Sequence, residues 1–286
     1  MTRFQFIERK KAVFPVHRLC RVLRVSASGY YAWAVRPASQ RQRDDMVFLA
    51  HIREQHARNH RSYGRQRMRA ELQSQGIAVG ERRVARLMRD NGIAVVRSRK
   101  FKRTTDSNHS HHIAPNLLDG NFQASAPNEK WAGDISYLWT AEGWLYLAVV
   151  IDLYSRRVIG WAVSDRLKRD LPIAALQRAI ALRQPRPGVI HHSDRGSQYC
   201  SRDYRTILEN QGFLASMSGK GNCYDNAAVE TFFKTIKAEL IWRNRYETRA
   251  QAQNDLFSYI NGFYNPRRRH SYLGNISPVK YESMTG

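Results

Sequence analysis

The chain has 286 residues, room for two structural units, and carries 47 Lys and Arg against 24 Asp and Glu, a formal net charge of +23 that favours a polyanionic partner. Cys20, Cys200 and Cys223 lie far apart without a CxxC pair, which argues against a disulfide framework and a Cys-based zinc site. No apolar run reaches the ~20 residues of a membrane span, and the N-terminus lacks the apolar core of a signal peptide, so a reduced cytoplasmic setting is expected.

The basic excess is steepest early, with 25 basic and 9 acidic residues in 1–120 and 22 and 15 thereafter. Pro15 opens a short helix with Leu19, Val22 and Leu23 on its apolar face, and Ser26 caps a second that ends near Trp33. These form an N-terminal helical segment, residues 1–45, closed by the linker RPASQRQRDD. Residues 46–100 give a clearer signal. After a helix from about Met46 to Arg58, SYGRQRMRAELQSQG has Met68 and Leu72 inside, Arg65, Arg67 and Arg69 outside, and Gly76 at its C-terminal end. IAVGERRVARLMRDNG follows with Val84, Leu87 and Met88 inside and Arg82, Arg83, Arg86 and Arg89 around the rest. Two short helices with arginines along the second suit a helix-turn-helix that enters the major groove of double-stranded DNA. Residues 101–126 read as a linker, basic at its start and able to track a DNA backbone. His109, His111 and His112 lie in it, without a second ligand cluster to complete a metal site.

A different regime occupies residues 127–286. WAGDISYLWT, WLYLAVVIDLYS and RRVIGWAVSD read as three antiparallel strands, rich in aromatic and β-branched residues. A helix over about Asp170–Arg183 ends at Pro185 and Pro187. GVIHHSD is a short buried strand with Asp194 at its C-terminal end, where open α/β sheets place ligands. A helix near 201–211 and the strand FLASMS follow. The last helix starts at Ala227. Its residues Val229, Phe232, Phe233, Ile236 and Leu240 form a buried stripe, with Glu230, Lys234 and Lys237 on a neighbouring face. Residues 218–226, SGKGNCYDN, have the composition of a flexible lid, with Asp225 as the helix cap. YNPRRRHSYLGNISP gathers Arg267, Arg268 and Arg269 beside Tyr264 and Tyr272, and is expected to present charge to phosphates.

Asp134, Asp194 and Glu230 read as one site. Asp134 sits in an apolar strand, where an unpaired carboxylate is costly. Three hard oxygen donors with no soft ligand suit magnesium. Asp152 reads instead as a turn acid pairing with Arg156 or Arg157, and His192 either orients substrate or packs.

Together WAGDISYL, VVIDLYSRRVIGWAVSD, HSDRGSQY, SGKGNCYDNAAVETFFKTIKAEL and YNPRRRHSYLGNISPVKY, with the arginine-rich helices upstream, resemble the second-reading-frame transposase of the IS-three family of bacterial insertion sequences. That family belongs to the DDE superfamily shared with retroviral integrases, and the resemblance spans nearly the whole chain. It implies an α/β fold: a ribonuclease H-like catalytic core with a mixed five-stranded sheet and flanking helices, preceded by an all-α helix-turn-helix-like DNA-binding region. It implies DNA strand cleavage and strand transfer, with Asp134, Asp194 and Glu230 holding two Mg²⁺ per site, or Mn²⁺ in their place. Asp134 would bridge the two ions and Lys237 would touch the DNA end. Further DNA contacts are expected at Arg65, Arg67, Arg82, Arg83, Arg86, Lys220, Lys234 and Arg267 to Arg269. The expected partners are element ends and target DNA, with a homo-oligomer on the DNA in the nucleoid-associated bacterial cytoplasm. The chain has no heptad run, so an upstream-frame partner or fusion is also expected. Two rival readings fit less well. A purely hydrolytic nuclease has no need of the basic N-terminal unit, and an inactive DNA-binding regulator none of an intact triad with Lys237.

Overall fold

The computed structural model describes residues 2–95, 113–219 and 227–285. Lys220, the cap at Asp225, most of the 218–226 lid and the three linker histidines fall outside them. Two compact units divide between His51 and Ile52, within α4, rather than at the 45/46 boundary expected from the linker composition.

The first unit packs α1 (Arg3–Lys10), α2 (Val16–Val22) and α3 (Ala27–Ala34) around Ile7, Leu19, Cys20 and Tyr30. The sequence pattern misses α1, whose start is fixed by Thr2 and Gln5 bonding each other's backbone in a capping box. Ser26 caps α3 as expected by accepting the Gly29 N–H. The supposed linker 36–45 is partly helical, because α4 begins at Gln40 and runs to Arg58.

The second unit contains the basic hairpin, α5 (Arg65–Ser74) and α6 (Glu81–Asp90), with Met68, Leu72, Val84, Leu87 and Met88 buried. Its larger part is a five-stranded mixed sheet: β1 (Lys130–Thr140), β2 (Gly143–Asp152), β3 (Val158–Ser164), β4 (Ile190–Ser193) and β5 (Leu214–Met217), in the order β3-β2-β1-β4-β5. The first three are antiparallel, while β4 runs parallel to β1 and β5 parallel to β4. This is the ribonuclease H-like arrangement that the resemblance implies. The central strands are buried on both faces, so β2 reads as a continuous apolar run. On one face α7 (Asp170–Arg183) and α8 (Arg202–Asn210) cover Ala148, Val150 and Ile159. The close approach of α7 needs Gly160: a Cβ there would sit 2.2 Å from the Ala175 carbonyl oxygen.

On the other face, Leu147, Val149 and Ile151 meet α9 (Ala227–Glu239), α10 (Arg249–Phe257), the π-helical stretch Ser258–Tyr264 and their flanks. The chain closes with α11 (Pro278–Thr285). The part of the expected linker from 113 onward belongs to this body: Leu118 is buried in its core and the Pro115 carbonyl accepts the Met217 N–H. The basic hairpin is tied to the same body. Tyr63 Oη accepts the Arg269 N–H at 2.8 Å, and the Arg269 guanidinium bonds Glu71 at 2.6 Å and Ser74 at 2.6 Å. Among the described residues no helix is long and apolar enough to cross a membrane.

Candidate active site

Two breaks in the sheet create the site. β4 pairs with β1 only over Lys130–Ala132 and then ends at Ser193, so the next residue, Asp194, emerges beside the middle of β1. Beyond Ala132 the flank of β1 is open to a helix. Asp134, opposite Val149 of β2, follows the alternation of Ala132 and Leu138 onto the face covered by α9. α9 presents Glu230 in its first turn and Lys237 near its end, its register held by buried Val229, Phe232, Phe233 and Ile236.

The electrostatics show that these groups face one another. Burial raises the Asp134 pKa well above the ordinary carboxylate range, and the negative charges of Asp194 and Glu230 add to the rise. A 2.7 Å bond from the Ile135 N–H and the nearby Lys237 ammonium oppose it. Burial in turn lowers the pKa of Lys237, and Asp134 resists that change. Lys237 is 8% exposed, with its ammonium 5.4 Å from the centre of the Tyr137 ring. Glu230 is more open and pairs with Lys234 at 3.1 Å.

Asp194 is oriented by its own turn. Its Oδ1 accepts the Gly196 N–H at 2.9 Å, and a Cβ on Gly196 would lie 2.9 Å from that same oxygen, so only glycine leaves the carboxylate there. Arg195 straps the end of β5 by donating to the Ser218 carbonyl at 2.6 Å. His192 is buried between Ser216 and Ser218, its ring nitrogens 2.9 and 3.3 Å from their hydroxyls, and is a packing residue of the floor. His191, Tyr199 and Tyr204 form a ring cluster behind Gly133. His191 Nε2 is 3.1 Å from Tyr204 Oη, and burial pushes the imidazole pKa down to about 3, so it stays neutral. The aromatic spacing after Asp194 is the one signal of this ring cluster in the sequence.

Three carboxylates make a hard oxygen donor set of the kind magnesium takes, and a cation would relieve the repulsion centred on Asp134. The residues therefore fit the implied metal chemically. Among the described residues no cluster of three potential ligand side chains is gathered into a ready metal cage.

Several expected DNA contacts change character. Arg268 points inward, 5% exposed, and bonds Glu239 through both Nε and Nη2, which rules out a phosphate contact in this conformation. Arg269 is held by Glu71, Ser74 and the Asn275 carbonyl. Arg67 is half-buried beside the Arg268–Glu239 pair, and its desolvation lowers its pKa. Arg65 pairs with Glu81 at 2.8 Å on the surface. Arg82 and Arg267 are exposed, with Arg83 and Arg86 half-buried. The second-strand acid Asp152 is fully buried and takes the Asn128 and Tyr154 N–H groups. Its cationic partner is Arg183 at 3.5 Å, not Arg156 or Arg157, and Arg157 goes to Glu282.

Comparison with known proteins agrees with this architecture. Residues 124–223 and 230–285 match two family profiles described as Integrase core domain, and residues 42–101 match an HTH-like domain. The chain is 44% identical over 287 residues to Transposase InsF for insertion sequence IS3A of Escherichia coli (strain K12), covering 98% of each protein. It is also 44% identical over 270 residues to an uncharacterized 31 kDa protein of insertion element IS600 of Shigella sonnei, covering 93% of this chain and 99% of that protein. Among solved structures, the HTLV-2 integrase catalytic core domain in complex with magnesium aligns with 56% of this chain and 99% of its own at 17% identity and a TM-score of 0.42.

Proposed function

The chain belongs to the IS3 family of insertion-sequence transposases, and from that premise we propose that Asp134, Asp194 and Glu230 are its catalytic carboxylates, with Lys237 as the counter-charge that meets the DNA end. The observation that carries the assignment is the mutual field at Asp134, where Asp194, Glu230 and Lys237 all act on one half-buried, desolvated carboxyl. Two residues 60 positions apart and a third 36 further on have no local reason to meet.

The chemistry is in-line attack by water, and then by the freed 3′-hydroxyl, on a DNA phosphodiester. Divalent cations held by the three carboxylates, Mg²⁺ by the donor set, would activate the attacking oxygen and stabilise the leaving one. The protein's own groups set the geometry. The Gly196 amide fixes the rotamer of Asp194, the Ile135 amide holds Asp134 on the strand, and the packed stripe of α9 fixes Glu230. Lys234 holds the Glu230 carboxylate at the rim until it is drawn inward. Lys237, desolvated against Tyr137, is suited to a single phosphate close to Asp134. Arg82, Arg83 and Arg86 of α6, with Arg65, Arg267 and Lys234, supply the phosphate contacts that register double-stranded DNA on the protein. Joining two element ends to a target requires more than one copy on the DNA.

The test is cleavage and joining of DNA carrying the element's ends with Mg²⁺ or Mn²⁺, comparing the wild type with Asp134→Asn, Asp194→Asn and Glu230→Gln. Each variant should bind DNA like wild type and neither cut nor join, a loss of at least about a thousandfold. Activity surviving Glu230→Gln would remove that residue from the site, and cutting without joining in the wild type would make the protein a nuclease.

A further inference from the structure

The β1–β2 hairpin carries aromatic side chains that, apart from Tyr137, the site described above does not use. Trp139 lies opposite Trp144 and Tyr137 opposite Tyr146, and alternation puts all four on one face of the ribbon. Their rings form a ladder: Trp139 and Trp144 are 4.9 Å apart at 79°, Tyr137 and Trp144 5.0 Å at 85°, and Tyr137 and Tyr146 6.3 Å at 63°. Trp139 is 60% exposed and Trp144 43%. Two indoles in water at a hairpin tip leave large π faces unused, in residues with much to gain from burial.

The ladder lies on the face of the ribbon opposite Asp134, and Lys237 links the two past the open flank of β1. The Lys237 ammonium sits over the Tyr137 ring at 5.4 Å and also acts on Asp134. One cation thus marks both the near end of the ladder and the proposed position of the scissile phosphate. The hairpin is also braced. Thr140 Oγ1 donates to the Gly143 carbonyl at 2.7 Å, the Ala141 N–H to the Tyr246 carbonyl at 2.9 Å, and Arg249 Nε to the Trp144 carbonyl at 3.2 Å, bringing a second cation to the tip. A braced aromatic ladder with a cation at each end has the chemistry of a groove for unpaired nucleotides, where bases stack on rings and phosphates meet the cations.

Building on the assignment of the carboxylates, we propose that the β1–β2 hairpin is a stacking platform for unpaired bases of the DNA flank beside the cleaved phosphate. Paired bases cannot offer their faces to a side chain, so the platform selects ends that have opened. It rewards fraying at the element end and holds the displaced strand clear of the site.

The experiment compares the full chain and its Trp139→Ala/Trp144→Ala and Trp139→Phe/Trp144→Phe double variants, in Ca²⁺, on two DNA ends. One is a blunt duplex and the other carries four unpaired nucleotides beside the cleavage position, with 5-iodouracil in the unpaired segment for photocrosslinking. The wild type should prefer the unpaired end by about tenfold or more, the scale of one or two stacked bases. The alanine variant should lose that preference while binding the blunt duplex as before, and the phenylalanine variant should keep most of it. The crosslink should map to Trp139 or Trp144. A preference unchanged in the alanine variant, or a crosslink elsewhere, overturns the proposal. So does a change in oligomeric state on alanine substitution without a change in DNA preference, since the face would then join copies of the chain. Asp134→Asn serves as the control. It should keep the preference and the crosslink while losing cleavage, so a failure of the carboxylate assignment shows in cleavage alone and a failure of the platform in binding alone.

Discussion

Substituting Arg268 by Met separates two views of the arginine run at 267–269. The side chains of Arg268 and Glu239 are 6% and 7% exposed, joined by bonds of 2.6, 2.9 and 3.2 Å, and Tyr259 Oη adds a fourth bond to the same carboxylate at 2.6 Å. Removing the guanidinium leaves a buried carboxylate with one hydroxyl for support, a change that costs about 3–5 kcal/mol. At ~2–4 °C per kcal/mol for a domain of this size, the melting temperature should fall by about 10 °C. Adding Glu239→Leu should recover most of the loss, because a matched apolar pair escapes the desolvation that the ion pair must overcome, and the residual cost is about 1 kcal/mol for the stranded Tyr259 hydroxyl. Denaturant melts and the salt dependence of DNA binding read the two properties separately. Arg268→Met should leave the slope of log K against log salt unchanged, whereas exposed Arg267→Met should make it shallower by about one and leave stability within about 0.5 kcal/mol. An Arg268→Met variant that is stable to within 1 kcal/mol and has a shallower salt slope would refute the reasoning, since Arg268 would then be reaching phosphate.

Two further expectations concern the sheet. Burial raises the Asp152 pKa to about 6, above the ~3.9 of the unfolded chain, so between those values the folded state holds a proton that the unfolded state has released. Stability should therefore fall as pH rises from about 4 to 6, by about 3 kcal/mol from this residue. Urea melts of wild type minus Asp152→Asn across that window should show the fall, and a flat difference would contradict it. Gly160→Ala forces a methyl to within 2.2 Å of the Ala175 carbonyl and 2.7 Å of the Ala179 nitrogen, so α7 must lift from β3 at a cost of about 1–3 kcal/mol or more. A melting temperature equal to wild type would mean that α7 is less tightly seated than these distances imply.

The catalytic core was largely legible because its signals are local. Aromatic and β-branched runs gave the first three strands, Pro185 and Pro187 closed α7, and the apolar stripe from Val229 to Leu240 gave α9. Partner choice was not legible. Glu239 meets Arg268 and Asp152 meets Arg183 across 29 and 31 residues, and no sequence spacing selects either over a nearer charge. So three adjacent arginines looked alike until their directions were known. The helices after Thr248 carried a readable period in Ala252, Leu256, Tyr259, Ile260 and Phe263, with Thr248 accepting the Gln251 N–H as their cap. The basic composition of the segment that follows drew attention to charge instead.

The point at which β4 stops pairing with β1 explains how the site holds charge. Had β4 continued along β1 in the same register, Asp194 would have stayed in the sheet opposite Asp134, without the turn whose Gly196 amide orients its carboxylate. Because β4 ends at Ser193, Asp194 leaves the sheet beside Asp134, and on the face that Asp134 shares α9 packs an apolar stripe whose adjoining positions supply Glu230 and Lys237. The arrangement sets three carboxylates around one desolvated lysine, and their repulsion adds to the desolvation that raises the proton affinity of Asp134. As the proposed ligands, these carboxylates would bind divalent cations in competition with protons, so cation affinity should increase with pH. A DNA phosphate at Lys237, as proposed, would add negative charge to the same small volume. On that proposal DNA and cations would support one another: the cations would offset the phosphate charge beside Lys237, and the phosphate oxygens would complete a ligand set that three carboxylates leave open.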